Sequence, residues 1–217
     1  MSPDAEALLP RGLPGPLPEG ESIMWQGAPQ ARALAREALH ERHVLLYFLA
    51  AACFVAGTAW TRGRSPAEIA VALALTGAAC LSVVILIRGY AALVARTTVY
   101  TVTTRRVVMR IGVAWPVTLN LPHVEIAGAG VRVDQDGTGE IPLTLGGTGR
   151  IGYVPLWPHA RPWRISRPEP MMRAVPDVAQ VAAILARALG SGPLGRAAAA
   201  RTEGAAAPEV ARQPAAA

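Results

Sequence analysis

Two uncharged apolar stretches constrain this chain more than anything else in it. Residues 44–61 read VLLYFLAAACFVAGTAWT, and residues 69–87 read IAVALALTGAACLSVVILI, with no Asp, Glu, Lys or Arg in either. At 1.5 Å per residue each helix would extend about 27–29 Å, close to the ~30 Å hydrocarbon core of a bilayer. Neither stretch has the polar face expected of a helix in a soluble bundle. The composition agrees: 52% of the 217 residues are hydrophobic and 17% charged. That excludes a disordered chain and points to a membrane protein.

The connection between the stretches is short and carries its own start signal. Ser65 suits an N-cap, Pro66 the first helical position and Glu68 the third position of a capping box. The second span is therefore expected over 66–87, antiparallel to the first over 44–61. Ala52 and Ala56 in the first span, and Ala70, Ala74, Ala78 and Ser82 in the second, recur every four residues. Small residues at that spacing let backbones approach closely, either within the hairpin or against another membrane protein. Arg32, Arg36 and Arg42 precede the first span, and Arg88, Arg96, Arg105 and Arg106 follow the second. Only Arg62 and Arg64 lie between. This bias predicts both termini in the cytoplasm, with the first span as an uncleaved anchor.

The formal net charge is +6, and all 21 basic residues are Arg. Guanidinium forks suit planar anionic partners. Cys53 and Cys80 are too few for a disulfide scaffold or a Cys-built zinc site, and read as small apolar residues of the spans. His40, His43, His123 and His159 fit no catalytic or metal spacing. The glycine run at 145–149 lacks the Lys-Ser/Thr of a phosphate loop and reads as a turn. Asp134, Asp136 and Glu140 surround Gly137 and Gly139 and likewise read as a hairpin turn, not a calcium loop. No enzyme, metal or nucleic-acid partner is expected.

Around the spans the chain divides into a disordered leader (1–16), a cytoplasmic lead-in strand and helix (17–43), a β-rich domain (97–189) and a disordered tail (190–217). Alternating apolar residues predict strands at 97–103, 106–113, 117–121, 124–133, 141–145 and 150–156. Residues 176–189 predict an amphipathic helix with Val178, Val181, Ala182, Leu185 and Leu189 on one face. The fold class is α+β: a two-helix transmembrane hairpin, then an antiparallel β-barrel or sandwich closed by a C-terminal helix.

The segment 156–164 has the most unusual local composition. Trp157, His159, Arg161, Trp163 and Arg164 crowd between prolines. Such residues serve a protein interface, a lipid surface or the plug of the domain's own core. The first assignment makes these five the candidate partner-binding residues. A second candidate set, for anionic lipid headgroups, is Arg105, Arg106 and Arg110.

Two resemblances add to this reading. The run Tyr100-Thr101-Val102-Thr103-Thr104-Arg105-Arg106-Val107-Val108-Met109-Arg110-Ile111-Gly112 resembles a pattern of bacterial pleckstrin-homology-like (PH-like) domains, preceded by Gly20-Glu21 and Trp25-Gln26-Gly27. This implies a seven-stranded barrel plugged by a helix. Residues 16–21, 25–29, 106–114, 118–122, 136–139 and 156–163 are similar to the PuhB-type photosynthetic complex assembly family of purple bacteria. That resemblance implies a non-enzymatic factor for reaction-centre assembly in the photosynthetic membrane. It further implies the reaction-centre H subunit as partner, and self-association as a dimer. Neither span holds a His to ligate a pigment magnesium, so no cofactor is expected.

Overall fold

A computed structural model describes residues 12–147, 152–162, 164 and 166–190. The first span lies in helix α2 (Glu41–Thr61) and the second in helix α3 (Pro66–Thr97). Both are long and apolar enough to cross a membrane, and no part of either apolar window is buried inside the protein. Helix α3 starts where its signals place it. The Ser65 backbone N–H donates to Glu68 Oε2 at 2.8 Å, and Glu68 N–H donates back to Ser65 Oγ at 3.4 Å. Ser65→Ala is expected to cost about 1 kcal/mol at this helix start. Faster amide exchange over 67–69, with the sheets unaffected, is the reading; unchanged exchange contradicts it.

Helix α3 does not stop at residue 87. It continues past Arg88 and Tyr90 to Thr97 because a second packing surface meets it there. Ala91 and Val94 bury against Ala33, Leu34 and Ala35 of the lead-in and Ala174 of a distant strand. The helix expected within the lead-in is not continuous. Helix α1 (Ala31–Ala33) runs into a π turn at Leu34–Ala38, and His40 then takes a left-handed conformation (φ 58°) before α2 begins. The kink lets α1 lie against α3 while α2 runs alongside it. Gln30 N–H donates to Ala174 O at 2.8 Å, so hairpin, lead-in and β-domain share one joint. At the chain's described start, Leu13 is buried, which anchors the last residues of the expected leader; residues 1–11 lie outside the described residues.

Two antiparallel sheets follow. The first has the order β1-β2-β3-β4, with β1 (Ile23–Gly27) donated by the lead-in, then β2 (Val99–Thr103), β3 (Arg106–Ile111) and β4 (Val117–Pro122). Tyr100 pairs with Met109, and Met109 with Leu119. The β3–β4 turn needs Gly112 at φ 105°, where a Cβ would sit 2.1 Å from Trp115 O. The second sheet centres on β7 (Gly139–Leu145). The strand expected over 124–133 is broken: a 3-10 turn at His123–Glu125 leads to β5 (Ile126–Ala129), and β6 (Arg132–Val133) follows. Both pair with β7. The 134–139 turn joins β6 to β7, with Asp134 N–H donating to Thr138 O at 2.8 Å.

The other side of β7 is taken by β8 (Met171–Val175), a strand not expected from the sequence. The strand expected over 150–156 is, in its described part, the short helix α4 (Tyr153–Leu156). Pro155 explains the difference, since it cannot donate to a sheet ladder. Helix α5 (Val178–Gly190) closes the domain with Val178, Val181, Leu185 and Ala188 buried. Its side chains complete one core with Tyr100, Met109, Leu143, Leu156 and Met172.

Within the hairpin, Ala52 and Ala56 are partly buried, whereas Ala70, Ala74, Ala78 and Ser82 are exposed. The inner face of α3 is instead Ile69, Ala72, Thr76, Cys80, Val83 and Ile87. Cys53 is exposed and Cys80 partly so, and both are free thiols. Cys53 therefore faces outward and not into a protein core.

Candidate functional site

Helix α4 splits the tryptophan-rich segment between inside and outside. Leu156 enters the core, while Val154 is 84% and Trp157 48% exposed. Trp157 is held in place by Tyr90 of α3, with ring centroids 5.6 Å apart and planes 25° apart. Tyr90 follows directly on the apolar part of α3, so the stack stands at the foot of the hairpin. That is the level at which Trp and Tyr suit an interface between apolar and aqueous surroundings.

His159 does not join this surface. It is 0% exposed. Its Nδ1 lies 2.8 Å from Tyr100 Oη and its Nε2 3.3 Å from Thr98 Oγ1, the residue capping α3. Burial, reinforced by the nearby Arg173 charge, lowers its pKa to about 3. His159 is thus a neutral structural group, because only buried partners satisfy both ring nitrogens. Around it, Arg173 N–H donates to Tyr100 Oη at 3.1 Å, and the Arg173 guanidinium donates from Nη1 to Pro158 O at 3.1 Å. Its Nε and Nη2 each reach Glu140 Oε1 at 2.8 Å. Burial raises the Tyr100 hydroxyl above its ordinary value. This buried network fixes the backbone on which Trp157 sits.

The other expected partner-binding residues divide similarly. Arg161 donates from Nη1 to Glu169 Oε2 at 2.7 Å, and Arg164 lies 3.7 Å from Glu169 Oε1. Both arginines keep solvent-facing surface. Trp163 lies outside the described residues. Val154 and Tyr90 belong to the same surface but were not expected from the sequence. Pro155, which argues against a strand, is the signal that exposes Val154.

The second candidate set does not converge. Arg106 is bound to the buried Glu21 carboxylate, Nε at 2.8 Å from Oε1 and Nη2 at 3.0 Å from Oε2. Burial of Glu21 opposes its ionisation, but bonds from Arg106 and Thr103 and the Arg105 charge outweigh it and lower its pKa. Arg106 is therefore a structural cation that pins the lead-in to β3, because a buried carboxylate needs its countercharge. Arg105 and Arg110 are exposed. Arg110 lies four residues along β3, about 13 Å away, beside Arg96 at a cavity of about 350 Å³.

Among the described residues no group of His, Cys, Asp and Glu is placed to hold a metal ion. Asp136, which the sequence places in a turn, is bound by Thr138 at 2.6 Å and by Arg36. These bonds lower its pKa to about 2.

The model of the bacterial PH domain family matches residues 44–189, taking in nearly all of the hairpin, every strand except β1, and α5 up to residue 189. A Rhodobacter capsulatus protein described as an uncharacterized 23.7 kDa protein in the puhA 5' region is 37% identical over 180 residues. The alignment covers 82% of this chain and 83% of that protein. No solved structure matches. PH-like domains are typically non-catalytic binding modules, in keeping with a core that carries hydrogen-bonded structural groups and a foot that carries exposed aromatic and apolar ones. By sequence and by architecture, the chain belongs to the bacterial PH domain family.

Proposed function

We propose that this protein is a membrane-bound, non-enzymatic assembly factor for the photosynthetic reaction centre and, through it, the core light-harvesting complex. The hairpin spans the inner, intracytoplasmic photosynthetic membrane with both termini cytoplasmic. The β-domain engages the cytoplasmic side of a reaction-centre subunit, with the H subunit as first candidate, and the chain acts as a dimer. The observation that carries this reading is the Trp157–Tyr90 stack at the foot of two apolar helices, with Trp157 and, three residues before it, Val154 exposed. Such a surface meets a partner that is itself seated in the membrane. The open stripe of Ala70, Ala74, Ala78 and Ser82 offers that partner, or a second copy, a close approach within the bilayer. The PuhB-type resemblance and a relative from the puhA region support the photosynthetic assignment. A factor that binds an immature subunit raises its assembled fraction by mass action.

A deletion strain grown phototrophically tests the function. Near-infrared absorption of its membranes is expected to show a selective fall in reaction centres, with H-subunit transcript unchanged. Normal pigment–protein content overturns the proposal. At the site itself, Trp157→Ala is expected to weaken co-purification of the H subunit by about 2 kcal/mol, roughly 30-fold. Val154→Asp is the companion variant, since its exposed side chain leaves the fold alone. Undiminished co-purification of both variants removes this surface from the proposal.

A further inference from the structure

We propose a second site on this chain: an anionic phospholipid headgroup held in the cavity where α1 meets the feet of α2 and α3. The proposal rests on the membrane reading of the hairpin and not on the assembly role. The cavity measures about 530 Å³, and its lining includes Arg32, Ala35, Arg42, Leu45 and Arg88. Glu41 and Arg36 also border it.

The charge balance of this cavity is uneven. Arg88 donates to Glu41 Oε1 from Nε at 2.9 Å and from Nη2 at 2.7 Å. That pair ties α2 to α3 at one level and uses the cavity's one carboxylate. Arg36 is occupied by Glu37 and Asp136. Arg32 and Arg42 form no ion pair or hydrogen bond with any described residue. Two exposed guanidiniums therefore converge on a cavity with no carboxylate left for them. Guanidinium forks fit phosphate oxygens in pairs.

Position selects the source of the phosphate. Arg42 lies just before one apolar span and Arg88 just after the other, so the cavity opens at headgroup depth. Leu45, 44% exposed, stands about one turn further along α2 in the apolar direction. A free phosphate ion would use only the arginines. A diacyl lipid uses the arginines for its phosphate and the Leu45 side for the start of its acyl chains. The site is separate from Arg105, Arg106 and Arg110 on the β-domain.

The test uses the full chain purified in a non-ionic detergent, with native mass spectrometry counting lipid adducts. Phosphatidylglycerol is compared with phosphatidylcholine, and inorganic phosphate is added alone in a third arm. The wild type is expected to retain phosphatidylglycerol over phosphatidylcholine. The Arg32→Gln, Arg42→Gln double variant is expected to lose at least about tenfold of that retention, the equivalent of one charge-assisted hydrogen bond. Arg105→Gln with Arg110→Gln is expected to change nothing. Arg32 and Arg42 make no ion pair or hydrogen bond with a described residue, so the cavity variant should melt with the wild type. Leu45→Ser probes the same site without a charge change and should also reduce retention. Equal retention in the cavity variants, or an equal loss in the β-domain variant, overturns the site. Phosphate binding without phosphatidylglycerol adducts overturns the lipid source. Recovery of the chain from detergent-free soluble fractions would instead defeat the membrane reading, a result these adduct counts cannot mimic.

Discussion

Arg173→Ala is expected to destabilise the protein by about 3–5 kcal/mol, the usual cost of removing one partner from a buried ion pair. Arg173 sits on β8 and is nearly inaccessible, as is Glu140 on β7. The guanidinium makes two contacts to Glu140 Oε1 and a third bond to Pro158 O. Its loss would leave Glu140 with only Arg132, whose Nη2 is 3.4 Å away on a half-exposed side chain. The carboxylate would remain buried with little compensation. For a chain of this size the change corresponds to a melting temperature lower by about 6–20 °C, measured by thermal melt in detergent. The double variant Arg173→Met, Glu140→Leu is expected to lose less than the single, because it removes both charges and keeps apolar volume. A double variant that melts below the single would show that the pair is not what stabilises this region. By contrast, Arg161→Ala is expected to cost less than Arg173→Ala, because the Arg161 side chain is 40% exposed and Arg164 remains 3.7 Å from Glu169 Oε1. The bond to Pro158 O adds a functional consequence. It holds the residue next to Trp157, so Arg173→Ala should also weaken partner binding before the protein unfolds.

This network also shows where the sequence was readable and where it was not. The hairpin was legible because both of its helices are long, unbroken apolar runs, and because Ser65, Pro66 and Glu68 mark a helix start unaided by tertiary contacts. The first sheet and α5 were legible because half-buried strands alternate and a half-buried helix repeats with its own period. Strand β8 was not, for a specific reason. All five of its residues are buried, so it shows no alternation, and a buried Arg in its middle reads as a surface residue. Only Glu140, thirty-three positions earlier, makes that Arg a core residue. The extension of α3 to Thr97 was hidden in the same way, since Ala91 and Val94 acquire their burial from α1 and β8. His159 illustrates the limit at the candidate site. Its neighbours Trp157 and Arg161 do face outward, and nothing local distinguishes a histidine whose partners are Thr98 and Tyr100. Arg106 was assigned to a lipid because Glu21, eighty-five residues earlier, is too distant in the chain to suggest a pair.

Acidification from pH 6.5 to 5 is expected to remove about 1–2 kcal/mol of stability through His159 alone. The sign follows from proton binding. In the unfolded chain a histidine takes up a proton below about pH 6.5. In the folded protein His159 stays neutral until about pH 3, because burial and the Arg173 charge oppose a second positive charge. The unfolded state therefore binds more protons throughout this window, and stability falls as pH falls. His123, also buried, has its pKa lowered by burial and contributes in the same direction. The carboxylates with lowered pKa, Glu21 and Asp136, are ionised in both states above pH 5 and add their losses only at lower pH. The groups facing the His159 ring are Thr98, Tyr100 and Arg173. His159→Gln should thus be less stable at pH 7.5 but lose stability more slowly on acidification, with His123 still contributing. Parallel profiles of melting temperature against pH for the two proteins would contradict the assignment. The consequence reaches the proposed binding surface. His159 connects Thr98, at the end of the helix that carries Tyr90, to the segment that carries Trp157. Because His159 stays neutral in the folded protein until about pH 3, acidification to pH 5 should weaken the proposed partner binding only through loss of the fold, with the two rings still stacked in the molecules that remain folded.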